Sequence, residues 1–313
     1  MDIFDTKDIS PMLIKDEVDP FDDPNYVFEL KLDGIRGLAY LDPKSSTAEL
    51  RNKRGMKLNS IFPELSDINK QVKRKCILDG EFWVLKDGRP NFREMQRRSI
   101  MSDRTKIMLA SKHYPASFTA YDILYYDNNE TMDLPLMERK AALQKALKSE
   151  NNRLSISRYI EEKGIEYYNL VKEQKLEGIV AKQKNSLYYP GKKTKDWLKI
   201  KYMIDKDFVI CGYIYKENHM VSLVLGQYDK SKLVFQGHVT FGVAGKKFEI
   251  IKAIPKTEAS PFPTPPPGHD RAIWIMPVLV CTVQYMPREG SDAMYQPVLK
   301  AIRDDKLPQE CTI

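Results

Sequence analysis

Phe28-Glu29-Leu30-Lys31-Leu32-Asp33 alternates apolar and charged residues without a break. Successive side chains of a strand point to opposite faces, so the pattern predicts a strand over 26–33. Phe28, Leu30 and Leu32 then share one face, and Glu29, Lys31 and Asp33 the other. The apolar face packs into a core, while the opposite face carries an amine between two carboxylates. Taken alone, the same pattern also describes a solvated strand with a surface ion pair. Two other segments repeat it. Ile77–Leu85 puts Asp79 and Glu81 on a common face, and Trp197–Lys201 sets Lys199 and Lys201 opposite Leu198 and Ile200. Charge carried by three half-buried strands predicts a cleft, because burying charge is expensive unless a partner or ligand compensates.

The flanking sequence supplies the rest of a fold. Segments 77–85, 117–126 and 177–182 are rich in β-branched and aromatic residues and predict strands. Leu136–Lys148 and Gly164–Lys175 carry helical spacing, with Pro135 suited to a helix start. Strands mixed irregularly with helices predict an α+β domain. From about Asp205 the texture changes. Phe208–Tyr215, Met220–Tyr228 and Lys232–Phe241 predict short strands, Lys246–Ala253 a helix, and Ile273–Met286 a further strand. Between them, Ser260-Pro-Phe-Pro-Thr-Pro-Pro-Pro-Gly268 is an extended proline-rich connection. Short strands with one helix fit a small barrel of the OB type. The expected division is 1–203 and 204–313.

Composition narrows the setting. The 313 residues hold 50 Lys+Arg against 43 Asp+Glu, a formal charge of +7 that permits nucleic-acid binding without requiring it. Cys76, Cys211, Cys281 and Cys311 lie far apart with no C-x-x-C pair, which predicts reduced thiols in an intracellular protein. His113, His219, His238 and His269 lack ligand spacing, which argues against structural zinc. The first residues lack the basic and apolar regions of a secretion signal. The apolar stretch Ala272–Cys281 is too short to span a bilayer and contains Pro277. A cytoplasmic protein without membrane attachment is expected.

A lysine becomes a nucleophile when desolvation or nearby cations lower its pKa. Arg36, Lys199 and Lys201 are the expected cationic neighbours of Lys31, and they would also hold a phosphate-bearing substrate. Carboxylates in the same cleft would hold Mg²⁺, a hard cation that prefers oxygen ligands. Covalent nucleotidyl transfer to Lys31 is the chemistry this set can support. Spacing alone leaves open a nucleic-acid-binding module with no catalysis.

Glu29-Leu-Lys-Leu-Asp-Gly-Ile-Arg36 resembles the K-x-D-G-x-R signature of the covalent nucleotidyltransferases, which comprise DNA ligases, RNA ligases and mRNA capping enzymes. It is followed in that family's order by Leu78-Asp-Gly-Glu81, Ala120-Tyr-Asp-Ile123, Glu177-Gly-Ile-Val-Ala-Lys182, Trp197-Leu-Lys-Ile-Lys201 and Arg303-Asp-Asp-Lys306. Pro11-Met-Leu13, Phe62-Pro-Glu-Leu65, Gly88–Phe92 with Gln96-Arg-Arg98, and Tyr189-Pro-Gly191 are similar to the ATP-dependent DNA ligases of bacterial end-joining systems. The resemblance implies a nucleotidyltransferase (ATP-grasp-like adenylation) domain of antiparallel sheets with helices, followed by an OB barrel. It implies ATP as the nucleotide and Mg²⁺ or Mn²⁺ as the metal. Three steps follow: AMP onto Lys31, AMP onto a 5′-phosphate, then attack by a 3′-hydroxyl to seal nicked duplex DNA.

By the same resemblance, Lys31 is the adenylylated nucleophile, Glu29 recognises the adenine amine, and Leu30 belongs to the nucleotide-binding set. Arg36 contacts ribose and phosphate. Glu81 and Glu177 are the metal-site carboxylates, and Asp33 assists the later steps. Tyr121 stacks on adenine. Lys199 and Lys201 bind phosphate, and Arg303, Asp305 and Lys306 orient the pyrophosphate of ATP. Lys53 and Lys193 stand where many relatives carry arginine; lysine keeps the charge but loses the planar bidentate contact. The basic segments Lys182–Lys206 and Arg89–Lys112 each hold only two acidic residues and are expected on the DNA backbone. Only 28 residues precede Glu29, so a compact two-domain monomer is expected, with a Ku-like end-binding protein as a candidate partner. The rival readings are a GTP-using capping enzyme, which labelling with GTP rather than ATP would reveal, and an RNA ligase.

Overall fold

Val27 and Phe28 are fully buried in the strand Asp23–Leu30 (β1), and the alternation stops there. The strand expected over 26–33 therefore ends early. Lys31 still donates its backbone N–H to Gly178 O at 2.9 Å. At Gly34, however, the backbone passes so close to a neighbouring strand that a Cβ would lie 2.2 Å from Phe82 O. Lys31–Asp33 leave the ladder as the connection into Ile35–Leu41 (β2).

In this computed structural model, residues 2–86, 88–288 and 291–313 are described. The side chain of Arg89, part of the first basic segment, lies outside the described residues, as do those of Arg288, Ser291 and Asp292. Two compact units, Met1–Ile200 and Lys201–Ile313, divide the chain.

After β2, the first unit continues through Glu49–Asn52 (β3), Cys76–Lys86 (β4), Phe92–Ser99 (α1), Arg104–His113 (α2) and Ala116–Tyr126 (β5). It ends with Leu136–Ala146 (α3), Leu154–Ile156 (β6), Tyr159–Glu162 (β7), Gly164–Glu173 (α4), Gly178–Gln183 (β8) and Trp197–Lys201 (β9). One sheet runs β3-β2-β4-β5, antiparallel throughout, with β6 added parallel to β5. The other runs β7-β1-β8-β9, with β1 antiparallel to both its neighbours. Phe82 anchors the first sheet's core, its ring 4.7 Å from Phe118 and 5.9 Å from Phe62. Truncating such a ring to Ala costs roughly 3–5 kcal/mol. Phe28, Val171, Ile179, Ala181 and Ile200 bury α4 against the second sheet.

Helices α1 and α2 begin at capping side chains: Asn91 Oδ1 accepts from Glu94 N and Asp103 Oδ1 from Lys106 N, both at 2.8 Å. They also correct the reading of the basic segments. Arg98 is fully buried, paired with Glu64 and donating to Ile61 O and Tyr114 O at 2.9 Å each. It is part of the core, as is Lys182, and neither reaches a DNA backbone.

The second unit comprises Ile204–Tyr215 (β10), Val221–Asp229 (β11), Lys232–Val239 (β12), Lys246–Lys252 (α5), Ile273–Arg288 (β13) and Ser291–Arg303 (β14). The antiparallel order is β12-β11-β10-β13-β14, and a parallel bridge from Phe241 to Val298 draws the two ends of the sheet together as a half-barrel of the OB type. Phe208, Ile210, Leu223, Leu225, Val283 and Leu299 fill its interior. Strand β14 is absent from the sequence reading because Pro297 argues against a strand. The structure accommodates it beside Gln296, which takes φ 51° at a break in the β13–β14 register. No helix among the described residues is long and apolar enough to cross a membrane. All four cysteines are buried and free.

Candidate active site

Lys31 leaves β1 pointing at Glu177, on the chain entering β8, and its Nζ donates to Glu177 Oε1. The lysine side chain keeps 22% of its exposure and the glutamate 7%. The other oxygen, Glu177 Oε2, is buried and has no hydrogen-bond partner. Glu81 of β4 completes the group. Gly80 lets β4 approach β5 so closely that a Cβ would lie 2.4 Å from Thr119 O. The register between those strands shifts at Asp79/Gly80. The unpaired residue of that bulge is Tyr121 on β5, while Asp79 and Glu81, two apart on β4, share one face. Burial pushes the Glu81 carboxyl up to about 8, with Lys31 and Arg36 opposing and Glu177 and Asp79 reinforcing.

Arg36 faces Glu81 across the β2–β4 ladder. Its guanidinium forks onto Asp79, Nε to Oδ1 at 3.1 Å and Nη2 to Oδ2 at 2.7 Å. Tyr188 donates to the same carboxylate at 2.7 Å and accepts from Met12 N at 3.0 Å. Arg36 also lies over the rings of Tyr121 (5.5 Å) and Trp197 (5.7 Å).

Glu29 occupies an adjoining, fully enclosed position. Lys140 of α3 donates to its Oε1, and Lys182 Nζ is 2.9 Å from that oxygen. Burial works to raise the Glu29 carboxyl, but the two lysines outweigh it and hold the group below its ordinary value. Burial, reinforced by Lys140, pushes the Lys182 ammonium down to about 8 against the pull of Glu29. Lys182 Nζ lies 4.4 Å from the Tyr121 ring centre and 4.1 Å from that of Trp197. Trp197 Nε1 is buried without a hydrogen-bond acceptor, and Glu29 is the carboxylate within reach of Lys182 Nζ.

The expected triplet on one strand face is thus replaced. Glu29 serves two lysines, Lys31 pairs with a carboxylate rather than with cations, and Asp33 sits half-buried in the connection beyond β1. Leu30 pairs with Ile179 and packs on the α4 core. Lys53 is exposed, its N–H bonded to Arg36 O at 3.1 Å, and Lys193 is exposed beside Leu13. Lys199 is half-buried on β9, and Lys201 Nζ donates to Gln296 Oε1 at 3.1 Å. In the second unit Arg303 forks onto Asp305, Nε at 2.6 Å and Nη2 at 2.7 Å, so the Asp305 carboxylate faces an arginine. The sequence reading missed Lys140. Its signal was available: Arg139 and Lys140 fall at the buried spacing of an amphipathic helix, between Leu136 and Leu143.

A family model described as ATP dependent DNA ligase domain matches residues 10–201, and one described as ATP dependent DNA ligase C terminal region matches residues 216–306. The chain belongs to the ATP-dependent DNA ligase family. The SPbeta prophage-derived DNA ligase-like protein LigB of Bacillus subtilis is 30% identical over 88% of this chain and 92% of its own length. The multifunctional non-homologous end joining protein LigD of Mycolicibacterium smegmatis is 29% identical over 97% of this chain, which spans 39% of that longer protein. Among solved structures, the mycobacterial DNA ligase D complexed with ATP and MES superposes with a TM-score of 0.56 at 25% identity, covering 98% of both chains. A Lig E DNA ligase reaches 0.63 at 14% identity and speaks to the fold alone. This ligase uses ATP and joins DNA; capping and RNA ligation have no support in either family match.

Proposed function

We propose that the ligase carries AMP on Lys31. Nζ attacks the α-phosphorus of ATP, the bond to the β-phosphate breaks, and pyrophosphate leaves. Glu177 Oε1, already hydrogen-bonded to that amine, accepts the proton the amine must lose. The DNA 5′-phosphate then takes AMP from Lys31, and the 3′-hydroxyl attacks that phosphate and expels AMP. Asp33 assists these later steps. The observation that carries the reading is the Lys31–Glu177 pair with Glu81 beside it and Glu177 Oε2 left without a partner.

Those carboxylates fit a divalent metal, Mg²⁺ or Mn²⁺, because they offer hard oxygens and one of them is buried without a donor. Among the described residues no group of three or more His, Cys, Asp or Glu side chains forms a closed metal site. The remaining positions therefore fall to water and phosphate oxygens, as Mg²⁺ prefers. When bound, the metal supplies positive charge to the transferring phosphoryl group.

Tyr121, backed by the buried Trp197, offers its ring to the base, and Glu29, held by Lys140 and Lys182, fixes the polar edge of that pocket. Arg36, Lys53, Lys193, Lys199 and Lys201 supply cations to the phosphates. Arg303 and Lys306 grip the departing pyrophosphate, and Asp305 orients Arg303. Exposed Lys192, Lys193 and Lys195 meet the DNA backbone. A monomer acting in the cytoplasm, with a Ku-like protein delivering broken ends, completes the proposal.

Incubation with ATP labelled on its α-phosphate tests it. Covalent label on the wild type, released by acid as from a phosphoramidate, should vanish in K31A while the variant still unfolds cooperatively as a folded protein. Label retained in K31A and mapped to another lysine would overturn the assignment.

A further inference from the structure

Three side chains converge on the carboxylate of Asp207, on β10. Thr282 Oγ1 donates to Oδ1 at 2.7 Å, Lys306 Nζ donates to Oδ2 at 2.8 Å, and Arg303 Nη1 lies 3.4 Å from that same Oδ2. The aspartate is itself anchored. It faces Thr282 across the β10–β13 ladder, and its carbonyl accepts from the buried Gln227 side chain at 3.0 Å. Lys306, by contrast, comes from chain beyond the end of β14 with neither helix nor strand around it.

We propose that Asp207 is a positioning residue for self-adenylylation, holding Lys306 and Arg303 side by side for the pyrophosphate end of ATP. This rests on the reading of those two cations given above. A lysine loses much rotamer freedom on gripping a ligand, and an anchored carboxylate removes that loss in advance. It also offsets the repulsion between two adjacent cations. The donors suffice for both tasks. An ammonium has three N–H bonds and gives one to Asp207. The guanidinium gives Nε and Nη2 to Asp305, leaving Nη1 between Asp207 and a phosphate. Phosphate therefore joins the cluster without displacing Asp207.

D207A and D207N in the full chain test this. Self-adenylylation is measured across ATP concentrations, and sealing of a nicked duplex already adenylylated at its 5′-phosphate is measured without ATP. D207A should raise the half-saturating ATP concentration about tenfold, the size of one charge-assisted hydrogen bond, and leave sealing unchanged. D207N, which keeps an acceptor for Thr282 or Lys306, should fall between. Equal losses in both assays, with a lowered Tm, would make Asp207 merely structural, and an unchanged ATP dependence would also overturn the proposal. If D207A fails to fold, D207N alone decides. The double variant R303A/K306A, run alongside, separates the two ideas. If it loses only self-adenylylation while the Asp207 variants behave as wild type, the positioning role fails and the pyrophosphate grip stands. If it loses both steps equally, or neither, the grip itself is wrong.

Discussion

Replacing Glu81 by Gln is expected to stabilise the metal-free ligase while abolishing its activity. Burial, with Glu177 and Asp79 nearby, lifts this carboxyl from an ordinary 4.5 to about 8. Between those values the folded protein keeps a proton that the unfolded chain has lost, so stability falls as pH rises through that window. Each tenfold in proton affinity is about 1.36 kcal/mol, which puts the full penalty at no more than about 4.8 kcal/mol at pH 8 and above. Glu81 is only half-buried, water screens part of the penalty, and roughly 2 kcal/mol is the working figure. An amide carries no charge to desolvate. E81Q should therefore raise Tm by about 4–8 °C at pH 8.5 in chelator, with the gain shrinking toward zero near pH 5. Thermal unfolding of both proteins at pH 5, 6.5 and 8.5 measures this. Adding Mg²⁺ should then stabilise the wild type and not the variant. A gain of equal size at pH 5 and 8.5, or a loss of stability at pH 8.5, would refute the argument that desolvation of a charge sets the behaviour of this side chain.

K140A should lower stability by about 1.5–3 kcal/mol, because it removes a charge-assisted hydrogen bond to the buried Glu29 while Lys182 still pairs with that carboxylate; urea unfolding reads the loss, and an unchanged midpoint would refute it. E177A should lose self-adenylylation by at least about a hundredfold, since one charged group aimed at a transferring phosphoryl is worth several kcal/mol; a near-normal rate at saturating Mg²⁺ would move the metal elsewhere. Reversing charge at Lys192, Lys193 and Lys195 together should reduce the slope of log affinity for nicked duplex against log salt by about 2–3; an unchanged slope would take this segment off the DNA.

Much of the architecture was legible in the chain itself. The β-branched and aromatic runs of 77–85 and 117–126, the helical spacing of 136–148 and 164–175, and the short strands after 204 all appear in the structure within a few residues. Local residue type and side-chain periodicity produce them, and both are readable along the chain. Helices α1 and α2 escaped because basic residues dominate them, and β14 because Pro297 counts against a strand unless a bulge beside it is known.

Ordered motifs also named Lys31, Glu81 and Glu177 as candidates, and the structure brings these three together. The partnerships of the site's charges were not readable. Alternation along 28–33 put Glu29, Lys31 and Asp33 on one face, yet β1 ends at Leu30 and each charge goes its own way. Strand periodicity states which side a residue leaves from and carries no information about what waits there. Lys140 arrives at Glu29 from 111 residues away, and Glu177 at Lys31 from 146. Ion pairing in a low-dielectric interior depends on distance in space, and only the packing of α3 and β8 against β1 determines which cation each carboxylate meets.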